Sequence, residues 1–331
     1  MAKYIVTGSA GFIGFHLCLR LLKEGHRVIG IDNMTSYYDV RMKEKRNELL
    51  LSYPSFQFEQ IDFGNFDSLF QLINASKPKV IIHLGAQAGV RYSLENPWAY
   101  EQSNNLGTLN IFEAAKRSGV QNVLFASSSS VYGANTKTPF SEEDPVTQPI
   151  SLYAATKRAN ELLAYTYHHL YGMQTAGFRF FTVYGIYGRP DMALFKFAKN
   201  MLLGKEITVY NNGDMKRDFT FVDDIVDGLV RAISAIEKGK IKYEIYNLGG
   251  DSPVKLLDFI AELEKTLNCK AKMKFLPLQM GDVQETVADV SKARAQLGFD
   301  PKTRIPEGIK IFSEWFLENK DWLLELDDPK Q

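Results

Sequence analysis

The sequence predicts an α/β fold: a doubly wound parallel sheet with helices on both faces, followed by a smaller C-terminal substrate-binding domain. Two observations carry this expectation. Short apolar runs alternate with amphipathic segments through the first half of the chain, which is the rhythm of parallel strands joined by helical crossovers. The first run also leads directly into a glycine-rich turn that opens a helical pattern, the usual start of a dinucleotide-binding unit.

Taken in order, strands are expected at residues 4–7, 27–32, 56–62, 80–84, 123–127 and 176–181. Helices are expected between them at 12–24, 68–75, 106–118 and 153–171. Beyond residue 181 the pattern loses regularity, with loops at 185–191 and 211–217. We therefore assign 1–181 to a nucleotide-binding domain and 182–331 mainly to the smaller one. Residues 219–236 and 242–247 again look like a helix and a strand of the main sheet, so the chain is expected to return to it near 219–247.

Composition narrows the class. Of the 331 residues, 45% are apolar and 24% charged, the balance of an ordinary globular protein. Lysine plus arginine number 39, as do aspartate plus glutamate, which argues against a bulk-charge role with nucleic acid or membrane surfaces. Cys18 and Cys269 are far apart and fit neither a disulfide framework nor a metal site, suggesting a reducing, cytoplasmic setting. The N-terminus enters a strand without a secretory pattern, and no apolar run is long enough to span a bilayer.

The turn Gly8-Ser9-Ala10-Gly11-Phe12-Ile13-Gly14 has G-x-x-G-x-x-G spacing. Its glycines permit a tight turn, close backbone approach to a pyrophosphate, and helix-on-strand packing. The helix N-terminus offers free N–H groups to phosphates. A P-loop would need a Lys-Ser/Thr pair after the last glycine, and none follows. This makes the fold Rossmann-type. Asp32, with Asn33 beside it, ends the second strand where a ribose-binding acid belongs, and its charge would repel the extra phosphate of NADP. NAD is thus the expected cofactor. Asp62, followed by Phe63, holds the adenine end or is an ordinary turn aspartate. Leu84-Gly85-Ala86 brings small residues to the end of the fourth strand. All these positions fall at the carboxyl ends of parallel strands, where open α/β sheets bind ligands.

Tyr153 and Lys157 lie four apart at the start of a long helical segment, so they share a face. A phenol of pKa about 10 is a poor base at neutral pH. A neighbouring lysine cation and a bound nicotinamide cation would draw it down. Of 16 tyrosines only Tyr153 has a lysine four residues on. Ser127 to Ser130 follow the fifth strand and offer hydroxyls to a substrate alcohol. Asn104, early in its helical segment, orders a kink or a water, or serves as a helix cap.

The glycine turn, the serine run before Val131-Tyr132-Gly133, and the Tyr153/Lys157 pair together resemble the extended short-chain dehydrogenase/reductase family, over almost the entire chain. Residues 86–93, 127–136, 180–185 and 188–193 are similar to its UDP-glucuronate 4-epimerase branch. Gly85 departs from that branch, where alanine is usual. The resemblance implies an isomerase of bacterial surface-polysaccharide pathways, acting on a UDP-sugar through a transient 4-keto sugar with no net redox. It makes Tyr153 the proton carrier and Ser128 its assistant, and has Lys157 also hold the nicotinamide ribose.

Related dehydratases and decarboxylases usually carry an acid just before Val-Tyr-Gly, where this chain has Ser129 and Ser130. With Thr182, these serines would hold the sugar carboxylate in the ring plane and restrain loss of carbon dioxide. Arg189 and Arg217 are candidates for the diphosphate or the sugar carboxylate, since guanidinium grips such groups bidentately. Asp282 matches the acid expected near the uridine ribose. Arg91 serves cofactor, substrate or neither. The resemblance also implies a homodimer, packed through residues 100–117 and 153–171. Competing readings are a UDP-glucose/UDP-galactose 4-epimerase, a decarboxylase, a dehydrogenase that releases NADH, and a non-catalytic NAD binder.

Overall fold

The computed structural model describes residues 2–279 and 283–328. The first half of the chain alternates strand and helix. β1 (Lys3–Thr7), α1 (Phe12–Lys23), β2 (Arg27–Ile31), α2 (Arg41–Leu51), β3 (Phe56–Glu59) and α3 (Phe66–Ser76) come first. They are followed by β4 (Val80–His83), two single-turn helices, α4 (Tyr92–Glu95) and α5 (Pro97–Tyr100), and a π-helical stretch at Glu101–Leu106. Next come α6 (Gly107–Ser118), β5 (Asn122–Ser128), α7 (Leu152–Tyr171) and β6 (Gln174–Phe180).

The later chain adds β7 (Thr182–Tyr184), α8 (Ala193–Leu202), β8 (Glu206–Val209), β9 (Lys216–Phe221), α9 (Val222–Glu237) and β10 (Tyr243–Leu248). It ends in β11 (Pro253–Lys255), α10 (Leu256–Leu267), β12 (Lys272–Phe275), α11 (Ser291–Leu297) and α12 (Ile305–Glu318), with a last helical turn beyond.

Seven strands form one parallel sheet in the order β3-β2-β1-β4-β5-β6-β10. The expected doubly wound sheet is therefore present. Side chains alternate across it with the two-residue strand period. Tyr4, Val6, Val28, Ile82 and Leu124 pack with α1 and α9 on one face. Ile5, Ile29, Ile81, Val123 and Phe125 pack with α3, α6 and α7 on the other. Because both faces are covered, the central strands read as unbroken apolar runs. Strand order reverses between β1 and β4, and a crevice opens beyond the carboxyl ends at such a point. A separate aromatic core gathers Phe195, Phe219, Phe259, Phe312 and Phe316 around the three-stranded sheet β11-β9-β7 and helices α8, α10 and α12.

Three elements differ from expectation. The loop expected at 211–217 ends early, because Lys216 and Arg217 already belong to β9. The helix expected from residue 219 starts at Val222, after Phe219–Phe221 have completed that strand. Helix α2 carries too many charges to show an apolar stripe, yet it buries Met42, Lys43, Arg46, Asn47 and Leu50. Its inward face is half polar, which hides its period from a hydrophobic count. Among the described residues no helix is long and apolar enough to cross a membrane.

Candidate active site

The crevice at the sheet's carboxyl edge is a cavity of about 240 Å³ that opens to solvent. Its floor is the turn between β1 and α1. Gly8 adopts φ +69°, and its N–H donates to the Ile31 carbonyl at 2.7 Å. A Cβ on Gly8 would stand 2.8 Å from Gly85 Cα, and one on Gly14 would collide with the Gly8 carbonyl oxygen. Only glycine fits either place. No side chain caps α1 at Gly11, so its first amides face the crevice unclaimed by a capping group.

Gly8, Gly11, Phe12, Ile13, Gly14, Asp32, Asn33, Phe63, Leu84 and Ala86 all line this cavity. Asp62 does not; it accepts from Asn33 Nδ2 at 3.0 Å and from the Gly64 N–H at 2.7 Å, bracing the loop behind. Asp32 is buried, and its Oδ1 accepts from the Met34 N–H at 2.9 Å and from Lys43 Nζ at 3.1 Å. Gly85 has a local reason: a Cβ there would stand 2.6 Å from the Phe63 ring. The aromatic ring takes the space an alanine methyl would fill. An uncapped helix start, a glycine-only turn and a carboxylate at the β2 end together fit a dinucleotide.

Tyr153 and Lys157 enter the same cavity from the first turns of α7. Ser151 caps that helix, accepting from the Ala154 N–H at 3.1 Å. Burial raises the Tyr153 pKa; a hydrogen bond with Ser128 and the positive field of Arg189 pull it back. Lys157 is buried and donates to the Ala126 carbonyl at 2.9 Å, and burial pushes its pKa down to about 8. Arg189 thus adds a cation that lowers the Tyr153 pKa, beside Lys157, which lines the same cavity one turn further along α7. A shared helical face sets direction but does not fix which acceptor a long side chain finds.

Ser128 lines the cavity; its Oγ accepts from the Ser130 N–H at 3.2 Å and lies 3.1 Å from Ser130 Oγ. Ser129 and Ser130 sit just beyond, in a 3₁₀ turn spanning Ser129–Tyr132. Behind them Ser127 donates to Glu161 at 2.7 Å, and Arg179 grips both Glu161 oxygens at 2.8 and 3.0 Å. Glu161 lies one turn past Lys157 on the same face, a continuation of the four-residue spacing that sequence reasoning overlooked. Asn104 lies within the π-helical turn. It exchanges hydrogen bonds with the Gln87 backbone and donates to Thr156 Oγ1 at 3.0 Å, so it orders a distorted turn and caps nothing.

Arg189 reaches the cavity, its Nε donating to Asp191 at 3.0 Å. Thr182 lines a small adjoining pocket that Arg189 also borders. Arg217 lies on β9 away from the cavity lining and donates to the Gln284 carbonyl at 2.9 Å. Arg91 stacks over the Tyr210 ring, 4.6 Å from its centroid. Asp282 lies outside the described residues.

The site therefore defines a nucleotide-binding α/β protein with an ionisable phenol beside the cofactor cradle. Residues 4–249 match the model of the NAD dependent epimerase/dehydratase family, and the chain belongs to that family. A probable UDP-glucuronate 4-epimerase of Rhizobium meliloti is 44% identical, over 96% of this chain and 97% of its own. The crystal structure of UDP-glucuronic acid 4-epimerase from Bacillus cereus, in complex with UDP-glucuronic acid and NAD, superposes with a TM-score of 0.90. It is 35% identical, over 96% of this chain and 99% of its own. A UDP-glucose 4-epimerase from Thermotoga maritima, with UDP-glucose, gives 0.86 at 27% identity, over 96% and 99%.

Two consequences can be measured. Gly14→Ala should abolish dinucleotide binding in a fluorescence titration, because the added methyl drives the turn apart. Lys157→Met should raise the stability of the cofactor-free protein at pH 7 by about 2 kcal/mol while removing activity. The sign follows from the depressed pKa. Below pH 8 both folded and unfolded forms carry the charge, so the burial penalty is complete. It fades as pH rises through 8 and is gone above the ordinary value of 10.5, where the advantage of Lys157→Met should vanish in denaturant titrations.

Proposed function

We propose that this chain is an NAD-dependent 4-epimerase that interconverts UDP-glucuronate and UDP-galacturonate. The observation that carries the reading is the meeting of Tyr153, Ser128 and Arg189 in the one cavity that the glycine turn before α1 also lines. The likeness to an epimerase that binds UDP-glucuronic acid and NAD supports the same substrate here. Gly8, Gly11, Phe12, Ile13 and Gly14 would hold the pyrophosphate and Asp32 a ribose. Asn33, Phe63, Leu84 and Ala86 would line the adenine and ribose path, with Asp62 bracing Asn33. NAD, when bound, takes the C4 hydride of the sugar and returns it to the opposite face of the 4-keto sugar.

The chain's own residues move the proton and orient the sugar. Tyr153 accepts the proton of the C4 hydroxyl, with Ser128 in hydrogen-bonding reach to share it. The same phenol gives the proton back once the ketone is reduced. Lys157 supplies a cation and donors beneath the cofactor's ribose. Arg189 would face the anionic part of the substrate, Arg217 and, by the resemblance, Asp282 would serve the nucleotide, and Ser129, Ser130 and Thr182 would hold the sugar carboxylate. In this division residues 1–181, with the return near 219–247, bind the cofactor, and 182–331 mainly bind the UDP-sugar.

We place the enzyme in the cytoplasm, in polysaccharide biosynthesis, as a homodimer. Leu109 on α6 and Leu162 and Tyr165 on α7 are exposed, which supports pairing of these helices with a second copy.

Incubation with UDP-glucuronate and, separately, UDP-glucose tests the reading once products are resolved by charge and sugar identity. UDP-galacturonate without accumulated NADH is expected; conversion of the neutral hexose alone would overturn the substrate assignment. Tyr153→Phe should lower turnover at least a hundredfold while NAD still binds. The 4-keto sugar is a β-keto acid prone to lose carbon dioxide, so replacing Ser129 and Ser130 by alanine should raise the pentose share of the product. An unchanged product ratio would count against the carboxylate role of these serines.

A further inference from the structure

Arg46 on α2 is fully buried, and its donors reach neutral oxygens. Nη1 donates to the Ala10 carbonyl and to Tyr38 OH, both at 2.8 Å. Nε and Nη2 donate to the Tyr187 carbonyl at 3.2 and 2.8 Å, and Nη2 also to the Gly188 carbonyl at 3.1 Å. Burying a cation against carbonyls is unfavourable unless the arrangement is needed elsewhere. What it joins is informative. Ala10 belongs to the glycine turn, Tyr38 to the loop after Asp32, and Tyr187 and Gly188 immediately precede Arg189.

Two further features concern the same loop. Tyr187 has φ +50°, a left-handed conformation that a bulky residue keeps only when its surroundings hold it. His16 on α1 binds the preceding Ile186 carbonyl through Nε2 at 2.9 Å. Three successive carbonyls, at 186, 187 and 188, are thus held from α1 and α2.

We infer that Arg46 is a positioning residue that fixes the backbone of Arg189 against the cofactor's phosphate turn, and so sets how the UDP-sugar lies before Tyr153. The inference rests on the proposed role of Arg189 toward the anionic part of the substrate. A planar fork with five donors makes all five of these bonds in one fixed geometry; an ammonium with three donors cannot make them all.

A double-mutant cycle with UDP-glucuronate and NAD tests it. Arg46→Lys should lower kcat/KM about tenfold, chiefly by raising KM, and in an Arg189→Gln background it should cost less than about threefold. An equal loss in both backgrounds would make Arg46 merely structural and overturn the inference; so would a fall in kcat with KM unchanged. Arg189→Gln measured alone reports separately on the role of Arg189: normal kcat/KM in that single variant sinks that role and the inference together. Circular dichroism and thermal melting check folding. Should Arg46→Lys not fold, Tyr38→Phe removes one acceptor and leaves the guanidinium. Its expected loss of about threefold is read by the same rule.

Discussion

Under the proposed function, a phenol that must part with its proton inside a protein is the constraint around which this site is built. Burial favours the neutral form of Tyr153, as it does for any acid that becomes an anion. The surroundings answer with a hydroxyl and a cation. Ser128 arrives from the carboxyl end of β5, and Arg189 from the loop after β7. Each is held by a network deeper in the fold. Glu161 and Arg179 anchor the serine run, while Arg46 and His16 anchor the loop that carries Arg189. The fold therefore fixes the electrostatics of one oxygen atom from several elements far apart in sequence.

Lys157 occupies a different place in this scheme. Its ammonium donates to the Ala126 carbonyl, and burial has brought its pKa near the physiological range. That is a costly position for a lysine and, under the proposed function, a useful one for a group that would bind a ribose beside a redox ring. Stability and chemistry pull in opposite directions at this residue.

Much of the framework was legible in the sequence. The parallel strands show because both sheet faces are apolar, and the glycine turn shows because no other residue fits its backbone. Helix α2 was missed for a physical reason: Lys43 and Arg46 point inward to polar partners, and a hydrophobic count scores them as surface. The π-helical turn at Asn104 has no periodic signature, since one widened turn alters no residue type. Glu161 was available in principle, as the next member of the spacing that begins with Tyr153 and Lys157. Which acceptor Lys157 takes, and that Arg217 bonds to the backbone around Gln284 away from the cavity lining, depend on tertiary packing that spacing cannot supply.

In the proposed reaction hydrogen leaves C4 and returns to C4 within one site. UDP-glucuronate carrying deuterium at C4 examines this most directly, with the product analysed by mass spectrometry and proton NMR. The account predicts that UDP-galacturonate keeps the label at C4 through many turnovers, with no solvent hydrogen entering there. Loss of the label from C4 to solvent, or solvent hydrogen incorporated at C5 instead, would contradict it.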